Sequence, residues 1–202
     1  MGDSTLHRAA ARGIMERMTG ILIRQAREDD LAAINDIYNE AVISSTATFQ
    51  IEPVPLEARR AWFAEHPQHT YPVLVAECGG VVVGWAAISR YATRCAYRFT
   101  VEDSIYLRRD HRRRGIGAAL LARLIEAANA AGHHSMIAQI ADHNPASIRL
   151  HQKLGFQTVG ELREVGWKFG RWLDITVMQK LLVSPPPATA PCESDSLRTP
   201  PQ

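Results

Sequence analysis

Between residues 100 and 130 a β-type run, an arginine-rich turn and an amphipathic helix follow without a linker, in "TVEDSIYLRRDHRRRGIGAALLARLIEAANA". This succession constrains the fold more than any other part of the chain. β-Branched and aromatic residues centre the strand expected over residues 100–110. After Gly115, the side chains of Leu120, Leu121, Leu124, Ile125 and Ala128 share one helical face, and Arg123, Glu126 and Asn129 take the other. Gly132 is placed to cap that helix. The first N–H groups of such a helix have no partner inside it.

Six of the seven residues 108–114 can carry positive charge. Free N–H groups and the helix dipole favour an anion at this junction. Gly115 and Gly117 let the backbone close on an oxygen with no side chain in the way. A Walker loop is excluded, because Ala118 and Ala119 stand where Lys and Ser or Thr are needed. A Rossmann fingerprint is excluded too, because Leu120 fills the third glycine position. What remains is Arg112-x-x-Gly115-x-Gly117, flanked by Arg113 and Arg114, and a pyrophosphate matches its size and charge. On these residues alone, a solvated basic turn that merely caps a helix is equally open. Contact with a nucleic-acid backbone would need basic and aromatic residues over a wider surface.

The remaining periodicities complete an α/β order. Residues 21–25 read as a strand, residues 27–44 as a helix with acids in its first turn, and residues 45–53 as a polar loop. A second helix starts at Pro55, and "YPVLVAE", "CGG" and "VVVGWAAIS" read as a hairpin. Residues 90–99 are irregular. A strand at "HSMIAQIA" precedes a short helix with Asn144 as N-cap and Pro145 in the first position. Two further strands, residues 157–166 and 171–182, close the sheet. The order βααβββαβαββ describes one domain with helices against a mixed parallel and antiparallel sheet.

That domain spans residues 21–183 of 202. Residues 1–20 read as a disordered leader, with Met15 or Met18 as possible starts, and Leu6 breaks the myristoylation pattern. The proline-rich segment 184–202 reads as a disordered tail. A net charge of +2 makes the basic run a local feature and argues against a nucleic-acid binder. No apolar stretch approaches the ~18 residues of a membrane span. Cys78, Cys95 and Cys192 form neither a disulfide framework nor a zinc pattern, which points to a reducing, cytoplasmic setting. His66 with His69 and His133 with His134 lack further ligands at useful spacing, so no metal is expected.

The strand "VEDSIYL", the segment "RRRGIG" and "N-x-x-S-x-x-L-H-x-x-L-G-F" resemble the GNAT acyltransferase pattern over roughly residues 21–182. "AYRFTVEDSIYL", "MIAQI", "ASIRLHQKLGF" and "VGWKFGRWLDITVMQ" are similar to its phosphinothricin and methionine-sulfoximine N-acetyltransferase subgroup. The resemblance implies the acyl-CoA N-acyltransferase fold, a mixed central sheet flanked by helices with one splayed strand pair. It implies acetyl-CoA as co-substrate, a small-molecule amine as acceptor, and often a homodimer.

By that resemblance, Arg112, Arg113, Arg114, Gly115, Ile116, Gly117 and Ala118 surround the coenzyme A pyrophosphate. Ile105, Tyr106 and Leu107 offer backbone groups to the pantetheine amides, and Asn144 reaches the same arm. Glu102 matches the catalytic base, with Asp103 as an alternate carboxylate on the opposite face. Leu107 N–H is the expected partner of the thioester oxygen. His151 stands where many members place a tyrosine that protonates the thiolate, a position equally suited to a packed structural histidine. Cys95, Ala96 and Tyr97 would line the acceptor, with Arg94 or Arg98 on its carboxylate. "TATF" at residues 46–49 resembles a substrate-shaping loop, and Lys168 and Arg171 would act across a dimer interface. The chain departs from the methionine-sulfoximine branch, which carries Trp-Arg near Tyr91 and Ala92.

Acetyl transfer to an amine needs a base for the ammonium, a donor for the developing oxyanion and a proton for the leaving thiolate. No dedicated nucleophile is evident, so direct attack on the thioester is expected. Alternatives keep the donor and change the amine to a protein N-terminus or polyamine, or keep only acyl-CoA binding in a non-catalytic sensor. A sensor would have no need of Glu102.

Overall fold

The computed structural model describes residues 20–183. The expected leader, with Met15 and Met18, and the expected tail, with Cys192, lie outside the described residues. The strands are β1 (Ile21–Gln25), β2 (Val73–Cys78), β3 (Val81–Arg90), β4 (Thr100–Leu107), β5 (Ser135–Ala141), β6 (Gln157–Lys168) and β7 (Arg171–Leu181). The helices are α1 (Leu31–Ser44), α2 (Leu56–Ala64), α3 (Ile116–Ala130) and α4 (Pro145–Lys153). The order is the one that the periodicities predict.

One seven-stranded sheet runs β1-β2-β3-β4-β5-β7-β6. All neighbours are antiparallel except β4 and β5. That parallel pair requires a crossover, and α3 supplies it. Alternation along the strands divides the apolar side chains between two layers. Leu74, Ile88, Val101, Met136 and Met178 pack with Leu120, Leu121 and Leu124 of α3. Val73, Val75, Trp85 and Ala87 pack with Leu31, Ile34 and Ile37 of α1.

Local chemistry fixes the boundaries. The segment before α1 is a single turn at Glu28–Asp30, because the Asp30 carboxylate accepts the Arg27 N–H at 2.8 Å. β4 stops at Leu107, short of residue 110. Arg108 N still donates to Val83 O at 3.0 Å, but Arg109–His111 then close a turn. At the end of α3, Gly132 has φ of +83°, and His133 N reaches Ala128 O while Gly132 N reaches Asn129 O. These two bonds satisfy helix-end carbonyls, and the positive φ explains the glycine.

Leu124 has no exposed surface. We expect Leu124→Ala to cost about 2–5 kcal/mol from lost burial and the cavity left behind. Urea unfolding with an unchanged slope checks this.

Candidate active site

β4 and β5 pair only at Thr100–Ser135, Val101–Met136 and Glu102–Ile137. Beyond that they part, although β4 stays paired with β3 and β5 with β7. The opening is a cleft of about 1280 Å³, bordered by Ile105 and Leu107 on one side and Gln139 and Ala141 on the other. Since Arg108 N faces β3, antiparallel alternation turns the main-chain groups of Asp103, Ile105 and Leu107 into the gap. Since Asp142 N donates to Asp174 O on β7, those of Gln139 and Ala141 face the gap from the far side. Tyr106 is corrected here: its backbone faces β3, and its contribution to the cleft is its ring. That ring lies stacked 4.9 Å from Trp85 and edge-on 5.2 Å from Tyr38.

The start of α3 forms the head of the cleft. Gly115 is the N-cap, with φ of +85°, a conformation that strains any side chain. The first intrahelical bond is Ala119 N to Gly115 O at 3.1 Å, and no side chain caps the end. The N–H groups of Ile116, Gly117 and Ala118 therefore have no helical acceptor. Arg112, Arg113, Gly115, Gly117 and Ala118 border the cleft. Arg112 Nε also donates to Leu107 O at 3.3 Å, which leaves the Leu107 N–H to a ligand. Two expectations change. Arg114 is exposed and does not border the cleft, and the Ile116 side chain is in the core, so only its N–H is on offer. Asn144 caps α4 through Oδ1, at 3.1 Å from Ala146 N and 3.3 Å from Ser147 N, and borders the cleft. Its Nδ2 remains for a ligand.

Glu102 and Asp103 leave opposite faces of β4, as alternation requires. Glu102 borders the cleft and accepts from Gln139 Nε2 at 2.8 Å. Burial raises its pKa above the ordinary 4.5, against the lowering effect of that hydrogen bond. On the other face, Asp103 Oδ2 lies 3.1 Å from Nε2 of His151, and both side chains are almost wholly buried. His151 Nδ1 donates to Ser147 O at 2.8 Å, so the proton on that nitrogen is fixed. Burial opposes the charged ring, but the hydrogen bond and charge of Asp103 prevail and raise the His151 pKa above 6.5. His151 borders the cleft with both nitrogens engaged, so it would donate to a ligand only by giving up one partner.

The wide end of the cleft is walled by Tyr38, Trp62 and Trp85, and by the loop holding Ser45, Ala47, Thr48 and Phe49. That loop is the expected substrate-shaping segment. Lys168 Nζ holds it by donating to Ser45 O at 3.0 Å and Thr48 O at 2.8 Å. Burial lowers the Lys168 pKa. Phe49 packs onto Gly166, where a Cβ would come within 2.3 Å of its ring. Arg171 pairs with Asp142, whose other contact is Thr46 Oγ1 at 3.2 Å. Lys168 and Arg171 thus serve the loop of their own chain, while Phe169 and Trp172 are exposed.

The structure does not bring Arg94, Cys95, Ala96, Tyr97 and Arg98 to the cleft. They lie in a turn before β4, where Tyr97 meets Tyr91 edge-on at 5.7 Å and Arg98 lies 4.5 Å over Phe99. The expectation of cysteines without a disulfide is corrected: Cys95 is disulfide-bonded and presents no thiol, so the cysteines do not argue for a reducing setting, whereas Cys78 is free. The basic residue that does border the wide end is Arg59 of α2, which the sequence reading passed over. Its one signal is spacing, with Trp62 and Phe63 three and four positions on.

His66 and His133 are buried; His66 bonds Trp62 O and Ser89 Oγ, and His133 bonds Thr70 O. Among the described residues, one group has metal-ligand character: His143, Glu161 and Asp174, at the surface. His143 Nε2 lies 3.1 Å from Asp174 Oδ2 and 3.6 Å from Glu161 Oε1.

The chain matches the Acetyltransferase (GNAT) family over residues 31–156. It is 46% identical over 157 residues to L-amino acid N-acyltransferase MnaT of Escherichia coli (strain K12), covering 78% of this chain and 91% of that protein. It is 45% identical over 157 residues to an L-methionine sulfoximine/L-methionine sulfone acetyltransferase of Salmonella typhimurium (strain LT2), covering 78% and 92%. A solved phosphinothricin acetyltransferase from Sinorhizobium meliloti in complex with AcCoA superposes with a TM-score of 0.80 at 40% identity, covering 87% of this chain and 95% of that one.

The Asp103–His151 pair carries its own test. The His151 pKa is higher in the folded state than the 6.5 of the free side chain, so its contribution is fully present below 6.5 and fades as pH rises through the folded value. We expect His151→Gln to lose about 3–5 kcal/mol near pH 6, from the uncompensated Asp103 charge, and less at alkaline pH. Urea midpoints of both proteins across that range measure it, and a constant difference would refute the charged pair.

Proposed function

Because the chain belongs to the acetyltransferase (GNAT) family, we propose that it moves the acetyl group of acetyl-CoA to the α-amino group of a small amino acid or amino-acid analogue. It is an acetyl-CoA-dependent N-acetyltransferase. One observation carries the reading: a single cleft runs from an open helix N-terminus, past unpaired strand amides, to a half-buried glutamate. Coenzyme A fits that cleft chemically. Its diphosphate matches the free N–H groups of α3 with Arg112 and Arg113, and its amide-bearing arm matches the main-chain groups of Ile105 and Leu107. Bound there, acetyl-CoA supplies an activated acyl group on a thiol.

The remaining work falls to the chain's own residues. Glu102, ionised, takes the ammonium proton of the acceptor, directly or through a water. Its raised pKa makes it a better base than an exposed glutamate while it stays ionised near neutral pH. The Leu107 N–H is the donor for the carbonyl oxygen as charge develops. His151 is the proton source for the leaving thiolate, held charged by Asp103 until it exchanges a partner. No cysteine thiol borders the cleft among the described residues, which supports direct attack over a covalent intermediate.

The reading extends to a homodimer. Val159, Leu162, Trp167, Phe169 and Trp172 are exposed apolar side chains on one hairpin, which supports a partner there. Among the described residues no helix is long and apolar enough to cross a membrane.

Glu102→Gln should lower kcat by about 10²–10⁴-fold and leave the KM for acetyl-CoA nearly unchanged. The wild-type acid limb should lie above the titration of an ordinary glutamate, with activity lost as pH falls through it. Thiol release with methionine sulfone and phosphinothricin as acceptors measures both, and full turnover by the variant rejects the base.

A further inference from the structure

Arg59 is 5% exposed, yet it borders the cleft. Its guanidinium carbon lies 4.5 Å from the ring centre of Tyr38, 4.7 Å from Trp62 and 5.5 Å from Trp85. Those faces attract the cation but accept none of its N–H groups in the plane of the guanidinium. Among the described residues, the one hydrogen bond the guanidinium makes is Nε to Asn35 Oδ1, at 3.4 Å. A guanidinium has five N–H donors in a fixed fork. Among the described residues, no carboxylate pairs with it and both terminal NH₂ groups lack an acceptor. Burying a cation this way is unfavourable unless an anion completes it.

Position narrows the anion. Arg59 lies over Tyr38 and Trp85, the two rings that pack on Tyr106, and Glu102 leaves β4 on the same face as Tyr106. A molecule whose amine meets Glu102 can present an acidic group to Arg59 in the same wide end of the cleft. The diphosphate site lies at the other end, where Arg112 and Arg113 stand at the start of α3. The arginines expected to take the acceptor's carboxylate, Arg94 and Arg98, do not border the cleft.

We propose that Arg59, preorganised by Tyr38, Trp62 and Trp85, binds an anionic oxygen group of the acceptor and so selects acidic acceptors over neutral amines. This rests on the acetyltransferase reading and deepens it, by naming the specificity-determining residue. The planar fork suits a carboxylate or phosphinate at two points. No covalent change occurs at this residue.

The test compares kcat/KM by thiol release for wild type, Arg59→Met and Arg59→Lys. The acceptors are methionine sulfone, its α-carboxamide, and phosphinothricin. Wild type should prefer methionine sulfone to its carboxamide. Arg59→Met should lose about 100-fold on methionine sulfone and only a few-fold on the carboxamide, with the KM for acetyl-CoA unmoved. Arg59→Lys, which keeps the charge, should recover part of the loss. A loss on phosphinothricin alone would assign Arg59 to the distal acidic group instead of the α-carboxylate, and still support an anion site.

Equal losses on acid and carboxamide would overturn the proposal and leave Arg59 a packing residue. So would a wild-type enzyme indifferent to amidation, a result that needs no variant to fold. Failure of wild type to release thiol with any of the three would instead sink the acceptor reading itself.

Discussion

The structure turns on main-chain amides that have lost their neighbour. A strand in mid-sheet normally spends its N–H and C=O groups on both sides, because leaving them buried and unpaired is costly. β4 does so only as far as Glu102, after which β5 diverges and one edge of β4 opens onto a cleft. The fold answers part of that demand internally: Arg112 takes the Leu107 carbonyl, and Asn144 N takes that of Ala141. The rest is a template for a ligand that behaves as a strand. The helix that bridges the two diverging strands begins at the same opening, so its own unpaired amides border the same cleft as those of β4.

Strand alternation then separates two kinds of chemistry across one strand. Glu102 and Tyr106 leave β4 on the side of α1 and α2, among Tyr38, Trp85 and Arg59. Asp103 leaves on the side of α3 and α4 and meets His151. A carboxylate kept partly wet and a carboxylate sealed against an imidazole are thus adjacent in sequence but share no environment. The first is suited to gaining and losing a proton, and the second to holding one.

Much of this was legible in the residues. Helical spacing in Leu120, Leu121, Leu124 and Ala128, capping by Asn144 and Gly132, and the opposed faces of Glu102 and Asp103 are short-range properties, and each is found as expected. What escaped depends on register and tertiary packing. Whether Tyr106 offers its backbone or its ring is decided by pairing with β3, which no local pattern encodes. Arg59 and Arg60 are neighbours of the same type, but one is enclosed by aromatics and the other pairs with Glu57 in solvent. Residues 94–98 carry a motif without periodicity, and the turn they form packs on itself.

The grip of Lys168 on the loop beside the cleft has one more consequence. It takes hold of carbonyl oxygens at Ser45 and Thr48, an atom that every amino acid possesses. The fastening is therefore indifferent to which side chains the segment carries. Natural variation at Ala47 can recontour the pocket wall while its anchorage stays intact, so descendants of such a scaffold could trade one small acceptor for another by drift in a handful of codons.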